Sequence, residues 1–382
     1  MIGYCTNVHA GTSMDSMLEN LDRFSVGVRE ALGLDEPLGV GLWIAAPAAR
    51  SIREDESADR LRDWLGERNL VAYTLNGFPY GDFHSSVVKH AVYEPDWSSQ
   101  ERLQYSIDLA WILASLESAP TASSSISTVP LGWRTSMDTP GHMDAAADNL
   151  VTAAAELERI EQETGRWIHL DLEPEPGCVV DRSGDLVEYF TSHLHTRQEE
   201  LSRRYLGVCH DICHAAVMFE NQSDAIRAYV DGGVRIGKVQ ISACPEVDFE
   251  SVDDQSREEL KERLGRYREP RYLHQTGIID INGAFHFHDD LPDALAGEPA
   301  RGCWRTHFHV PVFAAELDGI GTTRELVRSC IDSLRITGTL PAMEVETYAW
   351  NVLPDPPGPG ELPGLIAREI QWTRELVDEE AG

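Results

Sequence analysis

The chain has 382 residues, 42% of them hydrophobic, enough for a full core in one large α/β domain or two modest ones. Aspartate and glutamate number 64 against 32 lysines and arginines, a formal net charge of −32. A surface of that sign repels phosphate backbones and anionic lipid headgroups, which argues against nucleic-acid and membrane partners and leaves a small-molecule partner.

The seven cysteines (5, 178, 209, 213, 244, 303 and 330) are odd in number and include no Cys-x-x-Cys pair, the pattern of reduced intracellular thiols. The start "MIGYCTNVHAG" lacks the basic and apolar regions of a signal peptide. No apolar run approaches the roughly 18 residues needed to span a bilayer. The expectation is a cytoplasmic protein without membrane insertion.

In chain order, the strand "IGYCTNV" leads to a helical stretch, "SMLENLDRFSVGVREAL", and then to the strands "LGVGLWIAA" and "LVAYTLNGF". After an irregular segment, residues 77–97, comes the helix "SSQERLQYSIDLAWILASL", where Ser98 and Glu101 have capping-box spacing. The strands "SSISTVPLGW", "WIHLDLEP", "LGVCHDI" and "IGKVQISA" follow, separated by helical stretches with apolar residues at three- and four-residue spacing. A long segment, residues 244–321, precedes the helix "TRELVRSCIDSL" and the eighth strand, "AMEVETYAW". Within it "GIIDINGAFHFHDD" reads as a hairpin turning at Asn282-Gly283. The proline-rich residues 353–364 read as the loop between last strand and last helix.

Strands apolar on both faces and alternating with helices predict a parallel sheet covered by helices, and eight such units predict a closed (β/α)8 TIM barrel over residues 1–382 as one domain. An open doubly wound sheet would want a glycine fingerprint after the first strand, and "TNVHAG" stands there instead. Segments 77–97 and 244–321 leave the C-terminal ends of strands three and seven, where barrels build sites, and read as lid insertions.

Four predicted strands end in metal-compatible side chains: Glu173 on strand five, Asp211 on strand six, Gln240 on strand seven and Glu346 on strand eight. Three carboxylates crowded at one barrel mouth repel each other, and a divalent cation removes that cost. Each residue alone is more often a satisfied loop or cap residue; the four in register are what point to a metal.

"HDICH" resembles the Asp-x-x-His signature of the xylose-isomerase-like barrels, which include sugar isomerases and epimerases, hydroxypyruvate isomerase and a metal-dependent apurinic endonuclease. Carried over by position, the resemblance implies metal ligation by Glu173, Asp211, Gln240 and Glu346. Gln240 departs from the histidine many members carry on strand seven and is similar to the hydroxypyruvate isomerase branch. That all-oxygen set favours Mg²⁺ or Mn²⁺ and leaves Zn²⁺ open. The blocks "GYCTNVHAG", "YTLNGFPYGDFH", "VKHAVYEPDW", "SISTVPLGW", "THFHVPVF" and "VETYAWNVLP", spanning residues 3–354, resemble the EboE group of metabolite traffic proteins. That resemblance implies processing or traffic of secondary-metabolite precursors, with partners encoded in the same gene cluster.

The chemistry so implied is an isomerase or epimerase acting on a small polyol, sugar or hydroxy-carbonyl compound through an enediolate, Glu173 and Glu346 exchanging the proton as base and acid. His214 would donate to a substrate oxygen or orient a ligand, its plain alternative being a buried histidine bonded to backbone. Asn7, His9, Asn76, Tyr80, His84, His307 and His309 are the substrate-facing candidates, with ordinary turns or satisfied strand residues as the alternative. His307 and His309 also fall where the endonuclease relatives carry further metal ligands. Glu344 shares the face of Glu346 but lies deeper, His210 points to the opposite face, and His286 and His288 read as a solvated arm. A nucleophilic Cys209 or Cys213 lacks an adjoining cation, and Cys209, His210, Cys213 and His214 are too close in sequence to fold round one zinc. Two other classes stand beside the enzyme: a metabolite-binding carrier without turnover, and a metal-dependent endonuclease, which the acidity opposes. No glycine-rich phosphate cradle is present.

Overall fold

The computed structural model describes residues 2–116, 123–338, 340–358 and 360–379. Seven parallel strands come first: β1 (Ile2–Cys5), β2 (Leu38–Trp43), β3 (Leu70–Asn76), β4 (Ser124–Thr128), β5 (Ile168–Leu172), β6 (Leu206–Asp211) and β7 (Arg235–Ile241). Six short strands follow: β8 (Pro245–Asp248), β9 (Thr276–Ile279), β10 (Phe285–His288), β11 (Cys303–Thr306), β12 (Glu316–Leu317) and β13 (Ile320–Thr322). The last, β14 (Ala342–Val345), closes the barrel in the order β1-β14-β7-β6-β5-β4-β3-β2. The eight predicted strands are these eight, and the chain is a (β/α)8 barrel.

The expected apolarity on both strand faces holds only for the outer one. Ile168, Leu170 and Leu172 of β5, or Val239 and Ile241 of β7, belong to the hydrophobic core, together with residues of the surrounding helices such as Leu109, Leu150 and Ile370. Alternate residues carry polar groups into the barrel. Asp171 accepts from His169 Nδ1 (2.7 Å) and Ser125 Oγ (2.5 Å). One layer on, Lys238 Nζ lies 3.1 Å from Glu344 Oε2 and 3.2 Å from Ser127 Oγ, and Thr74 donates to Glu344. A Cβ at Gly41 or Gly237 would overlap the Glu344 or Asp171 carboxylate, so glycine makes the room for both. Register sets Asp211 beside Gln240 across β6–β7, and Gln240 beside Glu344 across β7–β14.

Residues 245–322 form an antiparallel sheet in the order β10-β9-β11-β8-β13-β12. Its β9–β10 hairpin turns at Asn282-Gly283, where Gly283 takes φ +81° and Asp280 accepts from the Asn282 and Ala284 amides. His286 and His288 sit on this hairpin against Asp280 and Glu298. Segment 77–97 is pinned at both ends by the buried Arg102, whose guanidinium donates to the carbonyls of Gly77 (2.8 Å), Phe78 (3.0 Å) and Pro95 (2.8 Å).

The helix Gln100–Leu116 starts one residue later than the predicted cap. Asp96 takes both the amide (2.9 Å) and the hydroxyl (2.6 Å) of Ser98, so Ser99 caps instead, its Oγ accepting from Glu101 N (3.1 Å). The proline-rich segment is a loop only in part: Leu362, Pro363 and Gly364 already belong to the helix Leu362–Asp378. All seven cysteines are free thiols. Among the described residues no helix is long and apolar enough to cross a membrane.

Candidate metal and substrate site

At the C-terminal end of β6 the chain turns directly into the helix Ile212–Val217, with Asp211 as its N-cap. Asp211 Oδ1 accepts from the His214 amide (2.8 Å) and from Ser242 Oγ (2.8 Å). The three-residue spacing from Asp211 to His214 is therefore that of an N-cap and the amide it satisfies. The cap engages one carboxylate oxygen and leaves the other, Oδ2, without a hydrogen-bond partner.

Glu173, just past β5, and Glu346, just past β14, meet Asp211 there: each of the three offers a carboxylate oxygen within 4.8 Å of the other two. Glu346 Oε1 accepts from Asn7 Nδ2 (2.7 Å) and Asn76 Nδ2 (3.1 Å). Gln240 is fully buried, and neither atom of its amide is paired. Glu173 Oε2, Asn7 Oδ1 and His309 Nε2 are also buried without partners. Buried polar groups are nearly always hydrogen-bonded, so this concentration of orphans marks a place built for something else.

Electrostatics agree. Burial first, then repulsion from Glu346 and Asp211, pushes the Glu173 carboxyl well above its usual range. Burial and then Asp211 push Glu346 up to about 8. Burial alone would raise Asp211 too, but His214, His309, the His214 amide and the Ser242 hydroxyl pull it below the ordinary carboxylate value. Three carboxylates and one carboxamide, crowded and short of partners, fit a hard divalent cation.

Three histidines border this point, each oriented the same way. Nδ1 of His214 lies 3.0 Å from Pro174 O, that of His307 2.8 Å from Gln275 Oε1, and that of His309 2.6 Å from Glu346 O. Donation to an oxygen fixes the tautomer and leaves the Nε2 lone pairs of His214 and His309 open, while that of His307 accepts from Tyr348 Oη (3.5 Å). Burial keeps them neutral: His214 is lowered to about 4, His307 well below its usual value, and His309 in the same direction. Asp211, His214 and His309 gather ligand atoms within 4.8 Å of one another, and so do Glu175, His214 and His307. Nitrogen donors thus adjoin the oxygen set.

Sequence reasoning missed Glu175, Tyr93 and Gln275. Glu175 accepts from Tyr93 Oη (2.7 Å) and Gln275 Nε2 (3.1 Å), and burial pushes it up to about 8. The signal was available in "LEPEP", where Glu175 repeats Glu173 two residues on. Tyr93 and Gln275 come from the two insertions and carry no local signature.

A cavity of about 520 Å³ opens over this group, with Asn7, Asn76, Glu173, His214, His307, His309 and Glu346 among its lining residues. Other candidates are placed elsewhere. His84 Nε2 bonds to Asn7 O (2.7 Å) from outside the lining. His9 bonds to Tyr4 Oη (3.0 Å) and stacks on Phe24, and Tyr80 packs edge-on against Tyr105; neither lines the cavity. His210 turns away to Gln222 (2.8 Å) and Tyr229, and Glu344 lies below, on Lys238.

No family model matches the sequence, and no curated protein matches it. Solved structures do. A xylose isomerase-like TIM barrel protein from Mycobacterium smegmatis in complex with magnesium superposes with a TM-score of 0.54 at 11% identity, over 98% of this chain and 96% of that one. A D-psicose 3-epimerase determined in the presence of D-fructose gives 0.51 at 11% identity, over 99% of each chain. At such identity the likeness speaks for architecture alone, and the architecture shared is the TIM barrel.

Proposed function

We propose that the chain is a divalent-metal-dependent isomerase or epimerase acting on a small polyhydroxylated or hydroxy-carbonyl compound, with Glu173, Asp211, Gln240 and Glu346 holding the metal. The observation that carries this reading is the set of buried, unpartnered donor atoms on Glu173, Asp211 and Gln240, beside the Glu346 carboxylate. The magnesium complex and the sugar epimerase among the structural neighbours lean the same way. Mg²⁺ or Mn²⁺ suits the four oxygen donors, and the neighbouring imidazoles leave Zn²⁺ in contention.

A bound divalent cation supplies Lewis-acid polarisation of a substrate oxygen. The protein's own groups do the rest. Asn7 and Asn76 hold Glu346 in place through its Oε1. Glu173 and Glu346, facing one substrate, exchange the proton at the carbon beside the carbonyl, one as base and the other as acid, through an enediolate of the substrate. His214 and His309 present neutral Nε2 acceptors to substrate hydroxyls, His307 reaches the same pocket beside the Tyr348 hydroxyl, and segments 77–97 and 244–321 act as lids over a single barrel domain.

The EboE-like sequence blocks place this activity in processing or traffic of secondary-metabolite precursors in the cytoplasm, with partners from the same gene cluster. The test is elemental analysis of purified protein beside its Glu173→Gln variant, followed by proton–deuterium exchange into candidate sugars in heavy water. One divalent ion per chain, lost in the variant, and exchange at the carbon beside the carbonyl are the expected results. Equal metal content in both would remove Glu173 from the site, and binding without exchange would make the protein a carrier.

A further inference from the structure

The lower and upper parts of the cavity differ in chemistry. Near the strand ends its lining is carboxylate, carboxamide and imidazole, whereas Phe78, Phe83, Val88, Tyr272, Leu273 and Tyr348 form much of the rest. These residues belong to segment 77–97, the β8–β13 insertion and the loop after β14, not to the barrel strands. Phe83, Tyr272 and Tyr348 make one aromatic cluster, with ring centroids 4.8, 5.1 and 5.3 Å apart. Cations are scarce. Lys89 is the one lysine in the lining, where no arginine appears, and its ammonium is bound to Asp290.

We infer that the substrate is an uncharged amphiphile: a hydroxylated head at the carboxylates joined to an alkyl or aryl portion lying against Phe83, Tyr272 and Tyr348. This rests on the metal-dependent reading for the head and on the walls alone for the tail. A free polyol of the same size would press most of its hydroxyls against rings and aliphatic carbons, with only the Tyr272 and Tyr348 hydroxyls there to replace water. A phosphate would meet Glu173, Glu175 and Glu346 with no unpaired lysine or arginine in the lining, so repulsion and desolvation both oppose it. An apolar tail faces neither cost and gains from leaving water.

A graded series of 1,2-alkanediols, from three to eight carbons, keeps a generic vicinal-diol head and varies only the tail. Metal-loaded protein is titrated with the series by calorimetry, with glycerol and glycerol 3-phosphate as controls. Affinity is expected to rise by about fourfold per added methylene, and glycerol 3-phosphate to bind no tighter than glycerol. Phe83→Ala should flatten the dependence on tail length while metal content stays unchanged; if that variant does not fold, the wild-type series decides alone. Equal affinity along the series, no saturable binding by any member, or tighter binding of the phosphate overturns the inference. If the wild-type protein binds no metal yet keeps the tail-length dependence, the metal reading fails and the amphiphilic pocket stands.

Discussion

Glu344, inside β14, and Glu346, just past its end, stand two residues apart and are both buried, yet their surroundings are opposite. Glu344, in the interior of the barrel, has a full positive charge at 3.1 Å on Lys238 and the Thr74 hydroxyl as a second partner. Glu346, at the mouth, has only the neutral amides of Asn7 and Asn76 and faces two more carboxylates. Burial alone therefore says little about function. The informative quantity is whether charge is compensated from within the chain: Lys238 does so for Glu344, and among the described residues no lysine or arginine pairs with Glu346.

The largest effect should come from breaking the interior pair. Lys238→Met strands the Glu344 carboxylate, and a loss of about 3–5 kcal/mol in denaturant unfolding is expected; adding Glu344→Leu should restore most of it, and a mild single variant would show the pair to be unimportant. At the mouth the sign reverses. Glu173→Gln relieves repulsion, so the metal-free protein should melt at a higher temperature than wild type while no longer gaining stability from added Mn²⁺.

Asn7→Ala, which loosens Glu346 without touching the other carboxylates, should weaken metal binding by about 10- to 100-fold with little change in the melting of metal-free protein. Comparable affinity in a metal titration would mean that Asn76 alone suffices.

The smallest effect is on pH. Glu175 and Glu346 are raised from 4.5 to about 8. A carboxyl raised on folding keeps its proton longer than the unfolded chain does, so its stabilisation is complete below 4.5 and is lost as pH climbs towards 8. His214, lowered from 6.5 to about 4, acts in the opposite sense, but only below 6.5. Between pH 6.5 and 8 the metal-free protein should lose about 1–2 kcal/mol per carboxyl, and saturating divalent cation should abolish the part due to Glu346. A flat melting profile across that window would show the mouth to be compensated after all.

The barrel was readable because its outer strand face and its helices both repeat apolar residues with unambiguous periods. Glu173, Asp211, Gln240 and Glu346 stood out because each ends such a run. The polar interior was less visible: Lys238 and Gln240 share the inward parity of β7, but a lysine in an apolar strand pairs with a glutamate about a hundred residues away, which no local pattern reveals. The inserted sheet was legible only at its Asn282-Gly283 hairpin, since its other strands run two to four residues and find partners across long separations. Ser98 is the expected helix cap, and Ser99 takes that place because Asp96 engages the Ser98 hydroxyl.

Glu369, on the helix Leu362–Asp378, ties the mouth together from the far end of the chain. Its carboxylate accepts from the Val312 amide (3.1 Å), the Thr347 hydroxyl (2.6 Å) and the Trp350 indole (3.2 Å). During synthesis on the ribosome, β1 must wait for β14 as its second neighbour, and the segment that follows His309 must wait longer still for that carboxylate. The mouth of the barrel is thus the last part of the molecule to set, and a nascent chain stalled before residue 369 would expose a nearly complete cylinder with an unfinished rim.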